Sequence, residues 1–198
     1  VRKQEFRIAM GNRAFPTTYG TPTCDRAASR VTVKRAAGDP RRGWLLLDGR
    51  AIAVALGRGG IKANKFEGDG ATPRGSFRAR KLWWRADRHP RPSTRLPAGP
   101  ILPQDAWCED PASRHYNRPI RLAADDSGDR LTRTDQLYDF VVEIDHNVRP
   151  RVANRGSAVF LHLARPGFAP TAGCVAMTRA SMLRLLKRIG RSTRIHIG

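Results

Sequence analysis

Residues 29–57, SRVTVKRAAGDPRRGWLLLDGRAIAVALG, limit the possible folds more than any other stretch of this chain. RVTVKR alternates apolar and charged residues at the two-residue period of a strand with one buried face. WLLLDG and AIAVAL follow as short apolar runs split by Asp48-Gly49-Arg50, which is the punctuation of a hairpin. Runs of strand length recur in FRARKLWWR at 77–85, YDFVVEIDH at 138–146 and AVFLHLA at 158–164. A helical period is clear in TRASMLRLLKRIG, where Met182, Leu185, Leu186 and Ile189 share a face, Thr178 can cap the start and Gly190 can end the helix. The pattern predicts a mainly β domain with a few short helices, including one near the C-terminus.

A chain of 198 residues with 40% hydrophobic content suits one domain with a core of its own, or one domain plus an appendage. Residues 1–28 mix Gly, Pro, Thr and charge without a period and read as a loose leader, leaving 29–198 as the folded domain. The long irregular stretch from Arg85 to Leu137 is rich in Pro, Asp and Arg, and predicts a lid or wall beside a site. No apolar run of about 18 residues is present, so no membrane span is expected. Residues 1–23 also lack the apolar core of a signal peptide.

Charge narrows the partners. The 37 Lys and Arg against 17 Asp and Glu leave +20, which favours polyanions such as nucleic acid, an anionic lipid surface or an anionic wall polymer. The run KLWWRADRHPRP could stack bases, so a non-enzymatic polyanion or nucleic-acid binder is a competing reading. Against it stand the scatter of the basic residues and the lack of a nucleic-acid fold signature. The cysteines, Cys24, Cys108 and Cys174, are odd in number and lack CxxC spacing, so no metal site is expected. A Cys24–Cys108 disulfide with Cys174 free, and three unpaired thiols, are both compatible with the sequence.

Chemistry concentrates near the C-terminus. In Thr171-Ala172-Gly173-Cys174 a glycine precedes the thiol, where a tight turn can expose Sγ and aim backbone N–H groups at a developing oxyanion. His162 lies on the strand just before it, and Arg165-Pro166-Gly167 and Pro170 allow the chain to loop back. Such a base would compensate for a thiol whose free pKa of about 8.5 leaves little thiolate at neutral pH. A buried structural cysteine beside an unrelated histidine explains that spacing equally well. Upstream, the glycine-rich GRGGIKANKFEGDGATPRGSF lacks the GxxxxGK[ST] order of a phosphate loop.

Taken together, GDGATPRGSF, DAWCEDPASRHYNRP and FLHLARPGFAPTAGCVA resemble the L,D-transpeptidases of the YkuD type, in a compact proteobacterial branch, over about residues 44–197. The resemblance implies a β-sandwich-like catalytic domain that acts on peptidoglycan stem peptides, as donor and acceptor, through a cysteine thioester without metal or cofactor. Carried over, Cys174 is the nucleophile, His162 the general base and then acid, and the Gly173 and Cys174 N–H groups the oxyanion hole, with Thr171 the small hydroxyl residue of the turn. It also implies a periplasmic location and a part in cell-wall organisation and cell shape. A papain-like peptidase has its cysteine before its histidine and fits poorly. Hydrolysis by the same pair, as a carboxypeptidase or endopeptidase, is the alternative within the enzyme class.

The chain departs from the commoner family pattern at Ala172, Ala176 and Leu163, and its His-to-Cys gap is shorter. The group that orients the imidazole stays open between a backbone carbonyl, Asp139 and His146. With Ala172 and Ala176 in place of long polar residues, Arg165 or the basic stretch from Lys62 to Lys65 would take the donor's charge. The expected cut then falls after L-Ala of the stem, joining L-Ala to diaminopimelate. Trp107, Tyr116 and Asn117 are expected to line the substrate groove.

Overall fold

The alternation read in the sequence becomes a closed β structure in the computed structural model, which describes residues 27–123 and 129–198. The strands are β1 (Arg30–Arg35), β2 (Arg42–Leu47), β3 (Arg50–Ala55), β4 (Ile61–Lys62), β5 (Thr72–Pro73), β6 (Gly75–Trp84), β7 (Ala98–Pro100), β8 (Asp105–Cys108), β9 (Arg118–Arg121), β10 (Asp129–Arg130), β11 (Phe140–Ile144), β12 (Phe160–Leu163), β13 (Val175–Met177) and β14 (Arg194–Ile197). One α-helix, α1 (Arg179–Arg188), lies between β13 and β14. The β2–β3 hairpin turns at Asp48 and Gly49, both with positive φ, as its Asp-Gly pair requires.

The strand order is β11-β12-β13-β3-β2-β1-β14-β6-β7, and β11 also pairs with β6. Residues 75–78 of β6 pair with β14, whereas 79–84 pair with β11. The expected sandwich-like layers are therefore two sides of one ring of strands, closed because the ten residues of β6 reach two neighbours. Val31, Val33, Leu45, Ile52, Val54 and Leu161 fill the interior, together with Met182, Leu185 and Leu186 of α1. Each such side chain contributes about 1.5–3 kcal/mol by leaving water.

Thr178 caps α1 by accepting a hydrogen bond from the Ser181 N–H at 3.3 Å. The far end departs from expectation: Ile189 is already extended, and Gly190 does not take the left-handed cap conformation. Its N–H donates to Thr193 Oγ1 at 2.9 Å, and that hydroxyl donates to the Ala28 carbonyl at 2.7 Å. Ala28 is thus bonded into the body. The rest of the expected leader, residues 1–26, lies outside the described residues, as does Cys24 and with it the question of a Cys24–Cys108 disulfide. Cys108 is buried and forms no disulfide with another described residue.

The described residues of the stretch from Arg85 to Leu137 form a wall of the molecule's cleft, with Glu109, Asp129, Arg133 and Leu137 in its lining. Its strands β10, β8 and β9 make a three-stranded sheet. From this stretch Ile101, Trp107 and Leu131 pack against Phe160 and Cys174 in a second apolar cluster. No helix among the described residues is long and apolar enough to cross a membrane.

Candidate active site

Strand register brings the thiol and the imidazole together. β12 and β13 are parallel, with Leu161 opposite Val175 and His162 opposite Ala176. Side chains alternate along each strand, so Leu161, Leu163, Val175 and Met177 enter the main core. Phe160, His162, Cys174 and Ala176 fall on the other face, and Cys174 sits one diagonal step from His162. That face forms part of a cleft of 620 Å³, lined by Cys174, His162, Thr171, Ala172, Ala176 and Arg165. Arg58, Glu109, Asp129, Arg133 and Tyr138 complete its walls from distant segments.

The turn that carries the thiol is held by Thr171. Its Oγ1 donates to the Cys174 carbonyl at 2.7 Å and accepts the Gly173 N–H at 3.1 Å. The Gly173 N–H, expected in the oxyanion hole, is therefore engaged within the turn. Gly173 has φ +142, and a Cβ there would stand 2.8 Å from the Ala71 carbonyl oxygen. The TPRGSF segment is brought in the same way: a Cβ on Gly57 would collide with the Gly70 carbonyl, and the Gly57 N–H donates to Thr72 Oγ1 at 2.8 Å. Two glycine-bearing segments thus pack backbone to backbone behind the thiol.

His162 is oriented by main chain. Its Nδ1 lies 2.8 Å from the Leu163 carbonyl, so Nδ1 carries the proton and Nε2 is the basic nitrogen. Asp139 accepts bonds from Arg88 at 2.8 Å and pairs with His89 at 2.7 Å. His146 is engaged with the Arg155 carbonyl at 3.0 Å. Of the three candidates for orienting the imidazole, the backbone carbonyl is the one in contact with it.

Both groups are neutral at rest. Burial, with help from Arg133 and Arg165, pulls the His162 imidazole down to about 4. Burial also pushes the Cys174 thiol up to about 12, with Glu109 adding to it. Sγ donates to the Ala158 carbonyl at 3.2 Å and accepts the Phe160 N–H at 3.3 Å. Among the described residues no hydrogen bond joins Cys174 to His162. A thiol held this way could serve as a nucleophile only if its proton were taken during attack, because a standing thiolate is strongly disfavoured by the dry surroundings.

Trp107, Tyr116 and Asn117 are not among the residues lining the cleft; they support it from behind. Trp107 packs edge-on against Phe160, with ring centroids 4.9 Å apart, and its Nε1 donates to Asn117 Oδ1 at 3.0 Å. The same oxygen accepts the Ala158 N–H at 3.2 Å, which fixes the residue whose carbonyl receives the thiol proton. Tyr116 donates to Glu67. Lys65 is buried and paired with Asp69 at 2.9 Å, while Lys62 is exposed and outside the cleft lining. Of the cations expected to meet the donor, Arg165 is the one in the cleft.

Sequence reading missed the residues facing the thiol. Glu109 directly follows the Trp107-Cys108 pair, and burial of its carboxyl end, then Asp129 and Glu67, push it up to about 7 although the residue as a whole is open to solvent. Tyr138 stands edge-on to His162 with ring centroids 5.4 Å apart, and the Arg133 guanidinium lies 5.2 Å over the Tyr138 ring. Tyr138 begins a predicted strand, which was a local signal. Arg58 and Arg133 had none.

Comparison with known proteins bears on what this cleft belongs to. The chain is similar to an L,D-transpeptidase from Mycobacterium smegmatis at 16% identity and a TM-score of 0.42, covering 85% of this chain and 58% of that one. It is similar also to an L,D-transpeptidase from Mycobacterium tuberculosis at 10% identity and a TM-score of 0.38, covering 85% of this chain and 57% of that one. The chain thus spans less than two thirds of the length of either structure. No curated protein matches the sequence. The family model for the L,D-transpeptidase catalytic domain, YkuD, matches residues 23–197. With that match running over nearly its whole length, the chain belongs to the L,D-transpeptidase catalytic domain family.

Proposed function

We propose that this domain is a periplasmic peptidoglycan L,D-transpeptidase with Cys174 as nucleophile and His162 as acid–base. The observation that carries this reading is the cleft in which the buried thiol and a main-chain-oriented imidazole share one face of adjacent parallel strands. Sγ attacks the donor peptide carbonyl while His162 Nε2 takes the thiol proton, and the imidazolium returns that proton to the departing amine. The acyl group is left as a thioester on Cys174. The amine of a second stem peptide then attacks the thioester carbonyl; His162 accepts a proton from it and restores the thiol. The Cys174 N–H, joined by that of Gly173 once Thr171 releases it, stabilises the oxyanion.

The cleft walls support one donor register. Ala172 and Ala176 offer methyl groups, and the cations present are Arg58, Arg133 and Arg165. Arginine forks suit the carboxylates of a stem peptide. We place the L-Ala carbonyl at the thiol, so that the product joins L-Ala to diaminopimelate. Incubation with purified disaccharide-tetrapeptide and tandem mass spectrometry of the products tests this. Dimers that have lost one L-Ala–D-Glu bond are expected. Dimers that retain both L-Ala–D-Glu bonds and lose only terminal D-Ala would overturn the register, and purely monomeric products would replace transfer by hydrolysis.

A further inference from the structure

A second cavity, of 550 Å³, opens beside β6 and shares no lining residue with the catalytic cleft. Arg78, Arg80, Lys81, Arg149 and Arg191 line it, with Glu143 and Asp145 as its carboxylates. Both carboxylates are already engaged: Glu143 pairs with Arg80 at 3.0 Å, and Asp145 accepts the Arg78 backbone N–H at 2.6 Å. The guanidinium groups of Arg78, Arg149 and Arg191 have no hydrogen-bond or ion-pair partner among the described residues, and all three residues are exposed. Close by, Arg151 keeps a buried Nε without a partner, and burial, then Arg118 and Arg80, disfavour its charge. Cations held together against their mutual repulsion mark a place where an anion is favourable.

Lys81 links this cavity to a neighbour of 460 Å³ lined by Trp83, Pro100, Leu102 and Ile120. Its Nζ lies 3.2 Å over the Trp83 ring, and a Cβ on Gly99 would stand 3.1 Å from Lys81 Cε, so glycine leaves room for that arrangement. One side of the groove is cationic; the other presents Trp83, Pro100, Leu102 and Ile120, edged by Asp105 and Arg121, which pair with each other at 3.8 Å. We propose that the two cavities together bind an anionic glycan–peptide strand, its carboxylates on Arg78, Arg149 and Arg191 and its sugar rings on the Trp83 shelf. Naming that polymer rests on the function proposed above. The groove favours it over nucleic acid because its unpartnered guanidinium groups are confined to one side and the other side is largely apolar, which suits carboxylates spaced between sugar rings better than an unbroken line of phosphates. A strand held here presents its other stem peptides to the cleft at raised effective concentration.

Co-sedimentation of the full chain with purified insoluble peptidoglycan tests the proposal. The triple variant Arg78→Glu, Arg149→Glu, Arg191→Glu is compared with Lys34→Glu, Arg50→Glu, Arg184→Glu, which changes net charge equally on other exposed surfaces. A third variant replaces the same three groove arginines by Gln, in case charge reversal harms folding. The groove variants should weaken binding about tenfold or more and lower its salt dependence, and the control by much less. Acylation of Cys174 by a small soluble tetrapeptide donor should be unchanged in all three, which keeps this test separate from that of the catalytic reading. Equal losses in groove and control variants, or no loss, would overturn the groove. Loss of oligonucleotide binding with retention of peptidoglycan binding would overturn the assigned polymer.

Discussion

Replacing His162 by Gln should slow acylation of Cys174 by about a hundredfold or more, the usual scale for a positioned acid–base. The structure makes the dependence steep, because a thiol pushed up to about 12 has almost no thiolate to offer near neutral pH without a base beside it. The same substitution should change how stability depends on pH. The unfolded imidazole titrates near its ordinary 6.5 and the folded one near 4, so between these values the unfolded state binds a proton that the native state refuses. Above about 6.5 both are neutral and the group contributes no pH dependence; as pH falls from there to about 4, the wild type loses about 3 kcal/mol. His162→Gln should lack that loss. Denaturant unfolding of both proteins at pH 7 and pH 4.5, with stopped-flow acylation at pH 7, measures the two effects together. Unchanged acylation kinetics would assign activation of the thiol to another residue.

Gly173→Ala should be as damaging, by a different route. At φ +142 a non-glycine residue is strained by about 1–3 kcal/mol, and the added Cβ meets the Ala71 carbonyl oxygen at 2.8 Å, a backbone atom that cannot swing aside. The turn must shift, and a displacement of about 1 Å at a reacting atom costs on the order of a hundredfold in rate. The expected result is a folded, less stable protein that is acylated at least about a hundredfold more slowly. Wild-type kinetics in this variant would show that the turn does not set the position of Sγ.

Local features of this fold were readable because local physics decides them. The alternation in RVTVKR, the Asp48-Gly49 turn and the 3.6-residue period of Met182, Leu185 and Leu186 each follow from a few adjacent residues. Ring closure was not readable, since nothing in FRARKLWWR says that its first half pairs with β14 and its second with β11. That the glycine-preceded thiol and the strand histidine share one cleft was legible through the resemblance, since their spacing alone fits an unrelated pair equally well. The imidazole's orienting group was not, because it is the Leu163 main-chain carbonyl, which no side chain signals. Asn117 shows a further limit. Its role comes from bonds to Trp107, His146, Asn147 and Ala158, four residues spread along the chain that only the folded structure gathers. A Trp, a Tyr and an Asn near a proline look the same from the sequence whether they face a substrate or hold up the wall behind it.

Intact-mass analysis after exposure to a stem-peptide donor or a carbapenem tests the central claim most directly. The account predicts a single covalent adduct on the wild type, retained in Cys24→Ala and Cys108→Ala and absent from Cys174→Ala. An adduct that survives Cys174→Ala would contradict it.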